Sequence, residues 1–295
     1  MKILVIVNPA AGRGRALRAE PKIAAIFARR GHSAEFVRSS SPADAQERAC
    51  RAARSGIRNI VALGGDGMFH HVAEALLGTD SVAGFFPAGN GNDIAEGLHL
   101  PDDPIRAAEI FLEAPIRRID VVRATFSDGC ITHFLGIGGM GLDAEAAFLA
   151  NTRFRKWPGV LRYLAGALWT FSREPFFEMR AQIDGAVWNG SCVLASVANG
   201  PSYGSGIRIA PDAKMDDGIL EIVLVEPVGW LRLFHGLTIL LARGDLRFRE
   251  VKRFQARRVR FEPNRPMRVH GDGESLGESP VELEVLPGAL QVRAP

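Results

Sequence analysis

Short apolar segments alternate with helical patterns over the first 122 residues, and this alternation limits the possible folds more than any other feature. The predicted strands lie at 3–7, 33–37, 60–63 and 82–87. A pattern of apolar residues at helical spacing follows each of them. Strands joined by helices favour a parallel sheet, so residues 1–122 are predicted to form a doubly wound α/β domain. Ligands of such sheets bind at the carboxyl ends of the strands.

The pattern changes after Ile119-Asp120, where short segments of alternating apolar and polar residues begin. This pattern is typical of antiparallel strands, so residues 123–285 are predicted to form a β-sandwich with helical inserts near 157–172 and 228–243. A GxGxxG sequence at 136–141 lies in this half. No acidic residue follows it at the spacing that a ribose contact needs, so it is interpreted as a turn and not as a dinucleotide site.

Composition excludes several classes of protein. The formal net charge of the 295-residue chain is only +3, and no recognised DNA- or RNA-binding motif occurs, so no nucleic-acid partner is expected. No apolar run is long enough for a transmembrane helix, and the N-terminus lacks the features of a signal peptide. Cys50, Cys130 and Cys192 are far apart and are interpreted as buried apolar side chains in a reducing compartment. A cytoplasmic protein that can contact a membrane surface is therefore expected.

Three glycine-rich loops follow predicted strands, at 8–16, 64–71 and 87–93. Each combines glycines with Asn or Asp before a helix begins, and bare backbone N–H groups at a helix N-terminus bind phosphate oxygens. One such loop could equally be a tight turn. Three at one edge of a sheet predict a phosphate site. Asp66, within the second loop, is either a functional carboxylate or a helix N-cap, and the same alternatives apply to Asp93.

Four motifs in order carry a resemblance to a known family: NPAAG at 8–12, GGDG at 64–67, PAGNGND at 87–93 and VHGDGE at 269–274. Together they resemble the diacylglycerol kinase catalytic family, whose superfamily includes sphingosine and ceramide kinases and, more distantly, NAD kinase. The resemblance implies an α/β nucleotide domain joined to a β-sandwich, with residues 286–295 returning to the first domain. It also implies ATP between the domains, Mg²⁺, and transfer of the γ-phosphate to the hydroxyl of a diacylglycerol-like or sphingoid lipid at a membrane surface. A homodimer is a further expectation.

The resemblance also assigns residues to roles. Nucleotide contacts are expected from Asn8, Pro9, Gly12, Ser39, Gly64, Gly65, Asp66, Gly67, Met68, Gly89, Asn90, Asn92 and Asp93. Asp66 would orient magnesium or the accepting hydroxyl. Glu274 would accept the hydroxyl proton, with Asp272 as alternate or helper, since two carboxylates flanking a glycine on a strand share a face. A polar hairpin turn is the alternative for this segment. The family's structural magnesium loop corresponds to Asp217 with the carbonyls of Lys214 and Ile219.

Two positions depart from the family pattern, because Met68 and Asn90 stand where the family often has Thr. The sequence around Met68 is closer to the sphingosine and ceramide kinase branch. His70 and His71 are interpreted as surface or core histidines of a helix. A soluble-metabolite kinase of the NAD kinase type and a non-catalytic nucleotide- or lipid-binding module are the alternative functions. The basic, apolar segments 154–171 and 230–244 either dock on anionic lipid headgroups or pack on the sandwich.

Overall fold

The computed structural model describes residues 1–157, 161–204, 206–242, 246 and 248–295. Its strands are β1 Lys2–Val7, β2 Ser33–Arg38, β3 Asn59–Gly64, β4 Val82–Pro87, β5 Ile116–Phe126, β6 Ile131–Phe134, β7 Ile137–Gly141, β8 Phe177–Ile183, β9 Ala186–Cys192, β10 Leu194–Ala198, β11 Leu220–Val225, β12 Val251–Ala256, β13 Arg258–Pro263, β14 Arg268–Gly271, β15 Glu274–Glu278 and β16 Val281–Arg293. Its α-helices are α1 Arg15–Arg29, α2 Pro42–Arg54, α3 Asp66–Leu76, α4 Asp93–Gly97, α5 Pro104–Glu113, α6 Leu142–Asn151, α7 Leu161–Arg173 and α8 Trp230–Leu241.

The N-terminal half is a parallel sheet with helices on both faces. Its strand order is β2-β1-β3-β4, and all three pairings are parallel. Every residue of β3 and β4 is buried, as expected for strands covered on both sides. One apolar cluster packs α2 and α3 against the sheet, and another packs α1 and α5 against its opposite face. The loops after β1, β3 and β4 consequently open at the same edge.

The long strand β16 joins the two halves of the molecule. Near its end, Val292 pairs in parallel with Ala83 of β4, and along its length β16 pairs antiparallel with β5. Its first half also pairs with β13, which continues the sheet to β8 and β9. A single ten-stranded sheet therefore runs from the α/β layer into the second half.

A second sheet covers the antiparallel part of the first. Its order is β12-β11-β10-β7-β14-β15, and all of its pairings are antiparallel. The core between the sheets contains buried side chains such as Phe134, Met140, Phe261 and Val269. The predicted fold class, an α/β domain followed by an antiparallel β-sandwich, is confirmed.

Several local predictions are wrong. The glycine-rich segment 136–141 is not a turn, because residues 137–141 form the central strand β7. A Cβ on Gly139 would lie 2.3 Å from the carbonyl oxygen of Ala195, so glycine allows the neighbouring strand to approach closely. Helix α6 was not predicted. Among the cysteines only Cys192 is buried, whereas Cys50 is intermediate and Cys130 is exposed at a turn.

Both helical inserts are present as α7 and α8, although residues 158–160 and 243–244 of the segments singled out in the sequence lie outside the described residues. The two helices pack together through Phe171, Leu233 and their neighbours. Within the described ranges, no helix combines the length and apolarity needed to span a bilayer.

Candidate active site

The three glycine-rich loops meet at the carboxyl ends of the parallel strands. Gly12 has a φ of +53°, and a Cβ there would lie 2.1 Å from the carbonyl oxygen of Ala88. A Cβ on Gly89 would lie 2.7 Å from the Cα of Gly65. The first loop thus contacts the third, and the third contacts the second, at distances that exclude a side chain. Bare backbone is required here for packing and is also available to a phosphate.

Asp66 joins the second loop to the third. It is the first residue of α3, so it is not the cap of that helix. Its Oδ2 accepts a hydrogen bond from the Asp93 N–H at 3.0 Å, and its Oδ1 accepts one from the Ile94 N–H at 3.0 Å. Asp66 therefore caps α4. The sequence had suggested Asp66 as a cap of the helix that it begins, α3, so the capping role is present but at another helix.

The pKa of Asp66 is raised to about 7. Burial is the main cause, and the neighbouring carboxylate of Asp93 adds to it, as does that of Asp272. The two backbone N–H groups act in the opposite direction. The carboxylates of Asp93 and Asp272 therefore lie close enough to affect Asp66, and a cation beside them would favour the charged form of Asp66. This donor set fits a hard divalent cation.

Asparagine side chains fix the shape of the loops. Asn92, at a φ of +61° before α4, accepts from the Gly89 N–H at 2.9 Å and donates to the Gly89 carbonyl oxygen at 3.2 Å. The Oδ1 of Asn8 accepts from the Ala10 N–H at 3.0 Å. Asn90 is exposed beside them. The loops are thus held by their own side chains before any ligand binds.

Two of the predicted nucleotide contacts, Ser39 and Met68, are buried and pack against other parts of the protein. Ser39 is buried, and its hydroxyl donates to the Val7 carbonyl oxygen at 3.2 Å. Met68 is 6% exposed and belongs to the apolar cluster under α3. Its sulfur would lie 2.7 Å from a Cβ on Gly64, so Met68 occupies the space beside that glycine. Pro9 and Gly67 are partly exposed.

Asp272 and Glu274 do not share one face of a strand, which corrects the sequence interpretation. Asp272 (φ +53°) and Gly273 (φ +84°) form a tight hairpin turn between β14 and β15. The period of two does not apply across such a turn. The Asp272 side chain is buried, whereas Glu274 is exposed. The Oε1 of Glu274 lies 3.1 Å from the position of a Cβ on Gly67, so this carboxylate reaches the second loop.

Asp272 fixes the contact between the halves. It accepts hydrogen bonds from the Leu135 and Gly136 N–H groups, both at 2.8 Å, and pairs with Nδ1 of His70 at 3.0 Å. Burial lowers the pKa of His70, but the hydrogen bond and charge of Asp272 outweigh it and leave the pKa raised. His70 is buried in α3 and is a site residue that sequence reasoning missed. A polar residue on the apolar side of α3 was the available signal.

Further polar contacts tie α4 to the loop around residue 206. Oδ1 of Asp93 accepts from the Gly206 N–H at 2.7 Å. Glu96 accepts two hydrogen bonds from the guanidinium of Arg208 and one from the hydroxyl of Ser202 at 2.7 Å. Sequence reasoning missed Glu96, Arg208 and Ser202, because nothing in the local pattern joins residues so far apart.

The predicted metal loop lies on the surface near the point where β5 crosses between the halves. Oδ1 of Asp217 accepts from the Ile219 N–H at 3.0 Å, and Lys214 and Asp217 are exposed. Beneath the loop, buried Asp120 accepts from the Gly218 and Gly288 N–H groups. Burial raises the pKa of Asp120, and the neighbouring Asp217 and Asp216 add to the shift. Asp120 was missed, although an acid inside an apolar strand is a visible signal.

Arg15 brings positive charge to the loops. Its guanidinium donates to the Gly89 carbonyl oxygen at 3.4 Å and pairs with Asp102 at 3.7 Å. It lies one residue after the positive-φ Gly14, at the start of α1. A guanidinium beside bare backbone N–H groups suits an anionic ligand.

Two family models match the chain in succession. Residues 2–124 match the diacylglycerol kinase catalytic domain, and residues 136–294 match the YegS C-terminal NAD kinase beta sandwich-like domain. The diacylglycerol kinase of Mycobacterium tuberculosis is 30% identical over 298 residues, which cover 100% of this chain and 95% of that protein. The chain belongs to the diacylglycerol kinase family. It is an enzyme of the lipid kinase class, which confirms the resemblance in the motifs.

Other relatives of this kinase family agree. A probable YegS-like lipid kinase of Chromohalobacter salexigens is 31% identical over 253 residues, covering 83% of this chain and 78% of that protein. A solved structure of a putative diacylglycerol kinase from Bacillus anthracis is similar with a TM-score of 0.81 and 26% identity, covering 100% of this chain and 97% of that one. Sequence and fold therefore point to the same family.

Proposed function

We propose that the chain transfers the γ-phosphate of ATP to the hydroxyl of a diacylglycerol-like lipid in a magnesium-dependent reaction. The proposal is carried by one observation: Glu274 of the sandwich reaches Gly67 of the second loop, beside Asp66 and the loops it joins. A proton acceptor, a bare-backbone phosphate site and a desolvated carboxylate thereby meet at one point. Phosphoryl transfer needs this combination of positioning and charge.

The α/β half would hold the nucleotide. Gly12, Gly65, Gly67 and Gly89 present backbone without side chains, and Arg15 adds a cation beside them. Asn8, Pro9, Ser39, Gly64, Met68, Asn90, Asn92 and Asp93 form or border the same loops and are proposed to contact the nucleotide or shape its site. Asp66 would hold magnesium together with the phosphates. Magnesium, when bound, neutralises charge on the phosphate oxygens.

Glu274 would act as the general base. It accepts the proton of the lipid hydroxyl as that oxygen bonds to the γ-phosphorus, while the bond from phosphorus to the bridging oxygen breaks and ADP leaves. Its exposure suits a group that must reach a substrate. Asp272 accepts hydrogen bonds from two N–H groups and pairs with His70, so it is proposed to position the hairpin that carries Glu274. Lys214, Asp217 and Ile219 are proposed to hold a structural magnesium ion.

The test is transfer of labelled phosphate from ATP to dispersed short-chain diacylglycerol. Glu274→Gln is expected to lower kcat by about 100- to 10,000-fold, the usual contribution of a general base. Asp66→Asn is expected to lower kcat by at least as much. The substitution would weaken magnesium binding and the hydrogen bonds that join the second loop to the third. Glu278→Gln, on the same strand and also exposed, is the matched control and should retain activity. Wild-type activity in both site variants would refute the assignment.

The identity of the acceptor is a second part of the proposal. The relatives are named diacylglycerol and lipid kinases, which favours a lipid over a soluble acceptor such as NAD. Sphingoid acceptors and NAD belong in the same assay. Transfer to NAD alone would favour the NAD kinase type of function, and ATP binding without transfer to any acceptor would favour a non-catalytic module.

We further propose that an apolar face on α6, α7 and α8 docks on the cytoplasmic face of an anionic membrane. Seven of eleven large exposed apolar side chains among the described residues lie on these helices or within a few residues of them along the chain: Phe148, Trp157, Leu161, Phe176, Trp230, Leu231 and Phe234. Exposed Arg153, Arg155 and Lys156 precede α7, and Arg153 stacks on the Trp169 ring. Basic and aromatic residues in this combination fit anionic headgroups over acyl chains.

The apolar face is connected to the hairpin that carries Glu274. Asp143 of α6 pairs with His270 of β14 at 2.9 Å, and Arg268 of β14 lies 3.6 Å over the ring of Phe148. A membrane in contact with α6 would therefore present its lipids near the strand that leads to Glu274.

Vesicle sedimentation tests the docking without reference to catalysis. Leu231, 89% exposed, is changed to Glu, and Ile131, 56% exposed on β6, is changed to Glu as the control. Leu231→Glu is expected to weaken binding to phosphatidylglycerol vesicles at least tenfold, in line with the loss of one buried apolar side chain. Ile131→Glu should leave binding unchanged. Equal loss in both variants, or equal binding to neutral vesicles, would contradict the proposed face.

A further inference from the structure

Beside the proposed catalytic groups, one turn of α3 carries a second cluster of ligand-type side chains. His70, His71 and Glu74 each offer a ligand atom, and these atoms all lie within 4.8 Å of one another. The spacing follows from helix geometry, because residues three and four apart lie on the same face. The proposed phosphoryl transfer uses neither His71 nor Glu74.

One ring nitrogen of this cluster lacks a hydrogen-bond partner among the described residues. Among the residues that the structure describes, Nδ1 of His71 is shielded from solvent and receives no hydrogen bond. A buried polar atom without a partner costs free energy, so such atoms usually meet an ion or an ordered water. His70 and Glu74 also border a cavity of about 10 Å³, which His133 lines as well. His71 therefore has an unpartnered ring nitrogen, and a small space adjoins the other two side chains of the cluster.

The surrounding contacts orient the other two ligands. Nδ1 of His70 pairs with Asp272, which leaves Nε2 of its ring to face a ligand. Glu74 accepts a hydrogen bond from Gln46 at 3.1 Å and lies 3.4 Å from Nδ1 of His133. Metal-binding histidines commonly have a carboxylate on their second nitrogen, and metal-binding carboxylates are commonly hydrogen-bonded in turn.

We propose that His70, His71 and Glu74 form a binding site for a divalent transition-metal ion of the zinc type, separate from any magnesium bound with the nucleotide. Two imidazoles and one carboxylate are a donor set that zinc uses with a fourth, open position. Magnesium prefers oxygen ligands, so this set discriminates against it. Ligand atoms around a tetrahedral zinc lie about 3.4 Å apart, so closure by at most about 1.4 Å through side-chain rotation completes the site.

Cobalt(II) provides a spectroscopic probe that needs no kinase activity, so the test is independent of the proposed function. The full chain with Cys130→Ser, which removes an exposed thiol, is titrated with Co²⁺ and then with Zn²⁺. The wild-type cluster should give visible d–d absorption of a four- or five-coordinate site, displaced by stoichiometric zinc. Mg²⁺ in excess should not displace it.

His71→Ala and Glu74→Gln are expected to weaken cobalt and zinc binding at least tenfold. His235→Ala, at an exposed position of α8, should leave it unchanged. Circular dichroism and thermal melts confirm that each variant is folded, and Glu74→Gln retains the shape of the side chain if His71→Ala does not fold. No absorption band, or a band that survives in both cluster variants or disappears equally in His235→Ala, would overturn the site.

Discussion

Two Gly-Asp-Gly tripeptides, 65–67 in the α/β half and 271–273 in the sandwich, behave differently at the proposed active site. Each aspartate accepts two backbone N–H hydrogen bonds from a distant segment. Asp272 is also paired with the buried imidazole of His70. The charges that raise the pKa of Asp66 are other carboxylates. Identical local sequences thus place one carboxylate beside a histidine and the other beside further carboxylates.

This difference gives each half a separate role. The sandwich tripeptide is stabilised by hydrogen bonds within the protein and is proposed to position Glu274. The α/β tripeptide has carboxylates as charged neighbours, and we propose that it binds magnesium together with phosphates. Four experiments compare the two halves directly.

The largest expected effect is on the sandwich side. Asp272→Asn should lower the free energy of unfolding by about 3–5 kcal/mol, because it breaks a buried ion pair and leaves a buried N–H group without its acceptor. Asparagine tolerates the positive φ at this position, so backbone strain is not added. Urea unfolding is the measurement. Glu274→Gln, two residues away and exposed, should change stability by less than about 0.5 kcal/mol. Similar losses of stability in the two variants would contradict the proposal that Asp272 holds the hairpin in place while Glu274 takes part in the reaction.

The second prediction concerns the pH dependence that Asp66 imposes. Its folded pKa of about 7 exceeds the unfolded value of 3.8, so the unfolded state loses its proton first. Stability of the nucleotide-free protein should fall as pH rises from about 4 to about 7 and then level off. Asp66→Asn removes this component, so across that interval the variant gains about 2–4 kcal/mol relative to wild type. Urea titrations at a series of pH values measure the gain, and a constant difference between the two proteins would contradict it.

Glycine substitutions compare the packing of the two regions. A Cβ on Gly12 would lie 2.1 Å from the Ala88 carbonyl oxygen, whereas a Cβ on Gly273 meets nothing within 4 Å. Both glycines have positive φ, so the backbone strain of alanine is shared. Gly12→Ala should therefore cost about 1–3 kcal/mol more than Gly273→Ala. Thermal melts of the two variants test this, and equal melting temperatures would mean that the loops can separate without cost.

The smallest expected effect on stability is that of replacing His70, the imidazole paired with Asp272 of the sandwich tripeptide. The folded pKa of His70 is raised, so its charged pair with Asp272 stabilises the fold below the unfolded value of 6.5 and is lost as pH rises through the folded pKa. His70→Gln replaces a charged hydrogen bond with a neutral one and should cost about 1 kcal/mol at pH 5.5. The cost should shrink at high pH. A cost that grows with pH would show that His70 is neutral in the fold.

The sequence predicted the parallel sheet, the sandwich and the three phosphate-type loops, because periodicity and glycine placement are local properties. It could not predict that residues 136–141 form a strand, since their glycines resemble a turn until Ala195 and Phe134 are known to pack on them. It also assigned Asp272 and Glu274 to one face. The hairpin turn at Asp272-Gly273 separates them. A hairpin turn was the alternative interpretation of this segment, and the sequence alone did not distinguish the two.

The partners of the site carboxylates were beyond the sequence. Asp66 contacts N–H groups 27 and 28 residues away, and Asp272 contacts a histidine 202 residues away. Glu96 with Arg208, and Asp120 with Gly288, join equally distant segments. None of these pairs has a local pattern, because each depends on how the fold brings distant segments of the chain together.

By itself, the sequence determined the alternation of strands and helices in the α/β half, the strand-rich pattern of the second half, the glycine-rich loops, and the family to which the motifs belong. Those properties depend on side-chain periodicity and on the conformational range of glycine, both of which act over a few residues. Only the tertiary structure decided that Asp66 lies near other carboxylates while Asp272 receives His70. The charge state of a carboxylate depends on its burial and on the groups within a few ångströms, and distant segments of the folded chain supply them.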